Sequence, residues 1–171
     1  MAADVTLVLG GARSGKSRYA EGLVTARPRP WVYVATAEAW DDEMGARIAR
    51  HRADRGPGWI TVEESLDLPG VLRRHAAPGV AVLVDCLTLW LSNLLGASRD
   101  VDAATAELLS ALDDAAGAVV LVSNEVGLGI VPDNALARAF RDHAGRMHQR
   151  VAARAERVGF VVAGLPMMVK G

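Results

Sequence analysis

Residues 5–17 read VTLVLGGARSGKS, a short apolar run followed by eight residues that fit the phosphate-loop pattern G-x-x-x-x-G-K-[ST]. Glycines in such a loop let the backbone fold around phosphate groups with its N–H groups pointing inward. We expect Lys16 to reach the β- and γ-phosphates of a nucleoside triphosphate, and the hydroxyl of Ser17 to bind Mg²⁺. The predicted phosphate site consists of Gly10, Gly11, Ala12, Arg13, Ser14, Gly15, Lys16 and Ser17.

The residues on either side of this loop support that interpretation. A glycine-rich turn with an unrelated lysine would show the same letters, but the apolar run at 5–9 predicts a strand and the residues from 16 onward predict a helix. A helix N-terminus directed at the phosphates would add the positive end of its dipole. The context therefore favours a nucleotide-binding loop.

Further apolar runs alternate with helical stretches along the chain. Because these runs are apolar nearly throughout, they predict strands of a parallel sheet that helices cover on both faces. We therefore predict a single α/β domain over residues 1–171, built in three layers as in P-loop NTPases. The predicted strands are 5–9, 31–35, 59–62, 80–84, 118–122 and 160–163, and the predicted helices are 16–26, 41–54, 67–75, 87–95, 101–115 and 134–158.

Composition narrows the class of protein further. A hydrophobic fraction of 51% with 23% charged residues is typical of a globular protein, and a net charge of -1 gives no reason to expect a nucleic-acid binder. The single cysteine, Cys86, cannot form an internal disulfide, and no Cys/His set is spaced for zinc. No leader-like segment opens the sequence, and no apolar stretch reaches the roughly 20 residues of a membrane span. We expect a cytoplasmic protein.

The residues that follow the strands are the next candidates, because ligands of open parallel sheets bind beyond the carboxyl ends of the strands. The run at 80–84 ends in Asp85, whose carboxylate can hold Mg²⁺ through a water during phosphoryl transfer. An aspartate there can also merely cap a turn, but the phosphate loop favours the metal role. Ser123, Asn124 and Glu125 face the γ-phosphate or an acceptor, or they only shape the glycine-rich turn that follows.

A basic segment at 41–55 is the most unusual stretch of the chain. Glu43, Arg47, His51 and Arg55 recur every four residues and so share one helix face. One interpretation is a solvated helix with a Glu43–Arg47 ion pair and a surface histidine. The other is a histidine nucleophile among arginines that bind a triphosphate, because a neutral imidazole can attack phosphorus. Spacing does not choose between them.

The motifs together resemble the bifunctional adenosylcobinamide kinase / adenosylcobinamide-phosphate guanylyltransferase family of cobalamin biosynthesis. The resemblance runs from about residue 5 to residue 170. It rests on GGARSGKSR at 10–18, VYVATA at 32–37, DDEM at 41–44, RIARHR at 47–52, VDCLTLWLSN at 84–93, SNEVGLGIVP at 123–132, FRD at 140–142 and GLP at 164–166. The phosphate loop occurs in many families, whereas the ordered set of the other motifs is far more specific.

This resemblance implies two reactions, a RecA-like fold and a homotrimer. A nucleoside triphosphate, ATP or GTP, would phosphorylate adenosylcobinamide, and GTP with Mg²⁺ would then transfer GMP to adenosylcobinamide phosphate, releasing pyrophosphate. The transfer would pass through a guanylylated His51, with Lys16 and Asp85 as further catalytic residues and Ser17 and Asp85 at the metal. Beyond the phosphate loop, the implied nucleotide contacts are Ala35, Thr36, Ala37, Arg52, Ala53, Asp54, Arg55, Glu63 and Asp85.

Two alternatives stay open on the sequence. A monofunctional small-metabolite kinase would share the loop without modifying His51, and a nucleotide-dependent switch would lack a small-molecule acceptor.

The chain also departs from the family pattern at His148, where an asparagine is usual, and at Arg157. We interpret His148 as an ordinary helix histidine. Because His51 is remote from the phosphate loop in sequence, we expect segment 41–55 to move towards that loop when GTP binds.

Overall fold

The computed structural model describes residues 4–38 and 42–171, without the side chains of Arg47, His51 and Asp54. Strands and helices alternate along most of the chain. The strands are β1 (Val5–Gly10), β2 (Trp31–Ala35), β3 (Trp59–Glu63), β4 (Ala81–Asp85), β5 (Ala118–Asn124), β6 (Arg157–Val162) and β7 (Leu165–Lys170). The helices are α1 (Lys16–Thr25), α2 (Asp42–Asp54), α3 (Leu68–His75), α4 (Leu87–Gly96), α5 (Val101–Asp114) and α6 (Ala135–Arg154).

The strands form one sheet in the order β3-β2-β4-β5-β1-β6-β7. Neighbours from β3 to β6 pair in parallel, and β7 pairs antiparallel with β6. Strand β5 therefore separates β1, which leads into the phosphate loop, from β4, which ends in Asp85. This is the RecA-like arrangement of a P-loop NTPase, as the family resemblance implies.

Helices cover both faces of the sheet, which explains why the strands are apolar on both sides. On one face, Val5 and Leu7 of β1 join a core formed with α3, α4, α5 and α6, in which Trp90 is fully buried. On the other face, Val8 packs with Ala20 and Val24 of α1. Side-chain oxygens of N-cap residues fix the starts of three helices. These residues are Asp67 for α3, Asp100 for α5 and Asn134 for α6.

The carboxyl-terminal hairpin differs from the sequence prediction. Strand β7 was not predicted, α6 ends at Arg154 instead of 158, and β6 begins at Arg157 instead of 160. The turn between β6 and β7 has positive φ at both Ala163 and Gly164, as a two-residue type I′ hairpin turn requires. Alanine is not the usual residue at the first of these positions. Every residue of β7 is exposed, so no buried periodicity marks the strand.

None of the helices that the structure describes is long and apolar enough to cross a bilayer.

Candidate active site

The phosphate loop connects the buried strand β1 to α1. Gly15 caps α1 with φ of 91°, a left-handed conformation that glycine adopts without strain. A side chain at Gly10 would overlap the Ser14 hydroxyl and lie 2.9 Å from the Val161 carbonyl oxygen. The Lys16 ammonium donates to the Gly11 carbonyl oxygen at 3.2 Å, so it folds back over the loop. The loop thus needs glycine where the pattern has it and holds its lysine over the concave side.

Ser14 has a buried hydroxyl that lacks a hydrogen-bond partner within the described part of the chain. A buried hydroxyl left unpaired costs about 1–3 kcal/mol. The backbone around it is well held, because the Gly164 N–H donates to the Ser14 carbonyl oxygen at 2.7 Å. A buried hydroxyl without a partner, inside a loop of this shape, fits a phosphate oxygen.

Asp85 ends β4 and lies half-buried at the same edge of the sheet. Its carboxylate accepts a hydrogen bond from the Tyr33 hydroxyl at 2.5 Å. Burial and, next, the charge of Asp85 raise the pKa of Tyr33 far above its ordinary value, so this phenol remains a donor. Ala81 and Leu83 precede Asp85 at a spacing of two and face α1. The Asp85 carboxylate therefore lies on the sheet face that carries Ser17.

These oxygen groups fit Mg²⁺. A serine hydroxyl and a carboxylate are hard ligands, and Mg²⁺ in nucleotide sites takes one or two protein ligands together with substrate phosphates. Within residues 4–38 and 42–171, no group of three or more His, Cys, Asp or Glu side chains is arranged to hold a metal ion. The donor set suits a metal that arrives with the nucleotide.

Thr36 lies directly after β2 and is completely buried. Its hydroxyl donates to the Cys86 carbonyl oxygen at 2.8 Å and accepts the Cys86 N–H at 2.9 Å. The Asn93 amide in turn donates to the Thr36 carbonyl oxygen at 2.7 Å. The Thr36 side chain therefore holds the turn that follows Asp85. Cys86 is a buried free thiol in this turn.

A second concave region lies between α2 and the ends of β2 and β3. This α2 cleft has a volume of about 420 Å³ and is lined among others by Ala35, Ala37, Arg52 and Glu63. The Arg52 guanidinium pairs with the Glu63 carboxylate at 2.6 Å, and the two side chains are 57% and 62% exposed. Exposed pairs contribute at most about 1 kcal/mol, so a ligand can displace this one at low cost.

Arg55 follows the last residue of α2 and connects the cleft to Asp85. Its guanidinium carbon lies 3.4 Å from the centre of the Tyr33 ring, the same ring whose hydroxyl contacts Asp85. The cation over the ring is a favourable contact. Arg55 is thus outside the helix and does not continue the face predicted for 43–55.

His51 lies on α2, but its side chain is outside the described part of the structure, as are those of Arg47 and Asp54. The predicted Glu43–Arg47 ion pair is outside it for the same reason. Ala53 is exposed on the helix. The predicted residues therefore fall into two groups, the phosphate loop with Asp85 and the α2 cleft. Three strand spacings, about 14 Å, separate β1 from β2.

The structure adds contacts that sequence reasoning missed. Ser123 and His148 are buried and bonded to each other, with 2.7 Å between Oγ and Nε2. Burial lowers the pKa of His148, and the charge of Glu125 opposes this effect. His148 shares a buried helix face with Ala144 and Val151, at spacings of four and three residues, which is a signal available in the sequence. The Tyr33 contact to Asp85 has no such signal.

The fold and this site define a P-loop NTPase of RecA-like topology. Residues 6–169 match the model of the cobinamide kinase / cobinamide phosphate guanyltransferase family, and the chain belongs to that family. The resemblance found in the sequence is thereby confirmed. As a member, this chain is an enzyme, a kinase of cobinamide and a guanyltransferase of cobinamide phosphate.

Three curated relatives agree with this assignment. The bifunctional adenosylcobalamin biosynthesis protein CobP of Pseudomonas aeruginosa is 53% identical over 167 residues, 96% of either chain. The CobU proteins of Salmonella typhimurium and Escherichia coli, which carry the same bifunctional description, are 43% and 44% identical, over 96% of this chain and 98% of theirs. A solved Pyrococcus horikoshii OT3 structure, PH0250, shares the fold with a TM-score of 0.58 at 11% identity, over 98% of this chain and 86% of that one.

Proposed function

We propose that this chain, acting as one catalytic domain of adenosylcobalamin biosynthesis, phosphorylates adenosylcobinamide with ATP or GTP. It then transfers GMP from GTP to adenosylcobinamide phosphate through a guanylylated His51. The observation that carries the proposal is the phosphate loop after β1, with the buried Ser14 hydroxyl that lacks a partner among the described residues, separated by the single strand β5 from the strand that ends in Asp85. That arrangement serves a nucleoside triphosphate, and both reactions consume one.

In the phosphate site, each residue has a role that follows from its position. The backbone N–H groups from Gly10 to Ser17 and the start of α1 bind the phosphates, and Lys16 neutralises their charge. Ser17 and Asp85 hold Mg²⁺, with Asp85 oriented by the Tyr33 hydroxyl. The bound metal supplies charge neutralisation on the phosphate oxygens.

In the α2 cleft, Arg52 and Glu63 bind the GTP that guanylylates His51. The Glu63 carboxylate accepts N–H groups from the guanine edge when it releases Arg52, and Arg52 then turns to phosphate oxygens. The His51 imidazole attacks the α-phosphorus, so an N–P bond forms while the bond to pyrophosphate breaks. The acceptor phosphate next takes GMP from His51, which restores the free imidazole.

His51 reaches the nucleotide by movement of α2. Strands β1 and β2 lie about 14 Å apart. A GTP whose triphosphate is bound in the phosphate loop therefore keeps its α-phosphate out of reach of His51, as long as His51 stays at the far side of β2. Two contacts at the end of α2 are open to solvent or to displacement by a ligand: the exposed ion pair of Arg52 with Glu63, and the contact of Arg55 with the Tyr33 ring. Limited proteolysis within 41–55 should differ with and without GTP-Mg²⁺, and equal cleavage rates would contradict the movement.

We propose that the protein acts in the cytoplasm and does not bind nucleic acid.

The proposed assembly is a homotrimer. Exposed apolar side chains on β7, among them Leu165 at 70% and Val169 at 69% exposure, support contact with other subunits. Light scattering would give three times the chain mass of 18.1 kDa. A monomer at micromolar concentration would contradict the assembly without affecting the proposed chemistry.

Label transfer from α-³²P-GTP tests the central step. Wild type with Mg²⁺ should carry acid-labile label on a denaturing gel, and His51→Ala should carry none. His143→Ala is the matched control, because this histidine bonds Arg146 on the exposed side of α6 and should leave labelling unchanged. Label that persists in His51→Ala would overturn the assignment of the nucleophile.

A further inference from the structure

Glu125 is the first residue after β5. This strand lies between β1, which leads into the phosphate loop, and β4, which ends in Asp85. Asn124 is in register with Gly10 of β1, and the Glu125 N–H donates to the Gly10 carbonyl oxygen at 2.9 Å. The next carbonyl of that loop, on Gly11, accepts the Lys16 ammonium. Glu125 therefore leaves the sheet beside the residues that surround the terminal phosphates.

The two residues before Glu125 are directed into the protein. Ser123 bonds His148 of α6, and the Asn124 amide donates to the Thr88 hydroxyl of α4 at 3.0 Å. Glu125 is half-exposed, and its carboxylate accepts the N–H of Gly127. This contact holds the carboxylate within the turn that begins at Glu125, and it leaves room for a second hydrogen bond, because a carboxylate has about four acceptor positions.

Other carboxylates at the carboxyl edge have different partners. Asp85 receives the Tyr33 hydroxyl, and Glu63 pairs with Arg52. Glu64 accepts the N–H groups of the two residues that precede α3. Among these groups, Glu125 combines exposure with a backbone contact to the phosphate loop itself.

The segment that Glu125 opens is apolar and open to solvent. Leu128 is 82% exposed and Ile130 is 97% exposed. A corrinoid acceptor carries its hydroxyl on an arm beside a large ring, so a ring that lies against this segment can place its hydroxyl at the Glu125 end. The same segment thus offers surface to the acceptor's body and a carboxylate to its reacting group.

We propose that Glu125 is the general base of the kinase step, an inference that rests on the proposed function. The acceptor oxygen attacks the γ-phosphorus, the new O–P bond forms, and the bond to the nucleoside diphosphate breaks. The hydroxyl proton passes to the Glu125 carboxylate and from there to water. The guanylyl transfer needs no such base, because the acceptor is then a phosphate that is already ionised near neutral pH.

The two activities of one chain give the test its internal control. In Glu125→Gln, which keeps an oxygen for the Gly127 N–H, phosphorylation of adenosylcobinamide should fall about 10²- to 10³-fold in kcat. Guanylyl transfer to supplied adenosylcobinamide phosphate, and labelling of His51 by GTP, should stay within about twofold of wild type. Glu125→Asp should recover part of the kinase rate, because it restores a carboxylate.

Glu107→Gln serves as the matched control, since this glutamate lies on the exposed face of α5 in a surface pair with Arg73. Equal losses of kinase and guanylyl transfer in Glu125→Gln would mean that Glu125 only shapes the turn, and would overturn the proposal. An unchanged kinase rate would overturn it as well. A wild-type chain that phosphorylates no adenosylcobinamide would instead refute the proposed function, and this result appears before any variant is tested.

Discussion

Replacement of Ser14 by alanine should stabilise the free protein and weaken nucleotide binding. The Ser14 hydroxyl is buried without a partner in the described residues, so its removal relieves a desolvation cost. The free energy of unfolding should rise by about 1 kcal/mol, the lower end of that cost. For a chain of this size, that is an increase of about 2–4 °C in Tm. Loss of a hydrogen bond to an ionised phosphate should raise the Kd of nucleotide at least about tenfold.

Urea denaturation with and without GTP-Mg²⁺ measures both effects on the same protein. The expected result is a higher urea midpoint for the free variant and a smaller gain on adding GTP, because stabilisation by ligand follows its Kd. Ser92→Ala, at an exposed position on α4, is the matched control and should change neither quantity. A free variant that is less stable than wild type, with an unchanged Kd, would refute the argument from the unpaired hydroxyl.

Three further predictions follow from contacts near the site. Tyr33→Phe removes the hydrogen bond to Asp85 and should cost about 1 kcal/mol of stability and raise the Mg²⁺ concentration needed for half-maximal activity. An unchanged metal requirement would show that this hydroxyl does not orient the carboxylate. The lowered pKa of His148 means that the unfolded chain binds the proton more readily, so stability is complete above about pH 6.5 and is lost as pH falls below it. His148→Asn should remove this dependence in urea titrations between pH 7.5 and 5, and a persistent slope would assign it elsewhere. Glu63→Gln should change the free energy of unfolding by less than about 1 kcal/mol, since the ion pair with Arg52 is exposed. In binding titrations, the same variant should weaken the binding of GTP more than the binding of ATP. Equal weakening of both nucleotides would contradict a contact to guanine.

The sequence was sufficient to predict the strand and the helix on either side of residues 10–15 and most of the sheet, for a physical reason. Residues 5–17 combine a buried strand, a fixed glycine pattern and a helix start, so local signals all agree. The buried strands of a parallel sheet are apolar on both faces, and this made five of them recognisable over nearly their whole length. The sixth, β6, was placed three residues late, because nothing at 155–157 marks the end of a helix. Ala155 is extended in the structure although alanine is the strongest helix former.

What the sequence did not predict depends on contacts between distant residues. The hydroxyl of Tyr33 contacts Asp85 because β2 and β4 are neighbours in the sheet. The local sequence pattern does not determine the order of the strands. Ser123 meets His148 because α6 lies on the face of the sheet that carries the Ser123 side chain. The family resemblance implied Arg52 and Glu63 as two separate nucleotide contacts, and both residues line the α2 cleft. The ion pair between them could be found only from the fold.

The position of β1 also bears on how the protein is made. Although β1 is synthesised before the other strands of this sheet, its neighbours are β5 and β6, which begin at residues 118 and 157. The phosphate loop is further held by the N–H of Gly164, in the turn that precedes β7. A nascent chain therefore carries the apolar strand β1 unpaired until β5 has been made, a period in which chaperones have a binding site. Nucleotide can begin to assist folding only after the hairpin of β6 and β7 has been made.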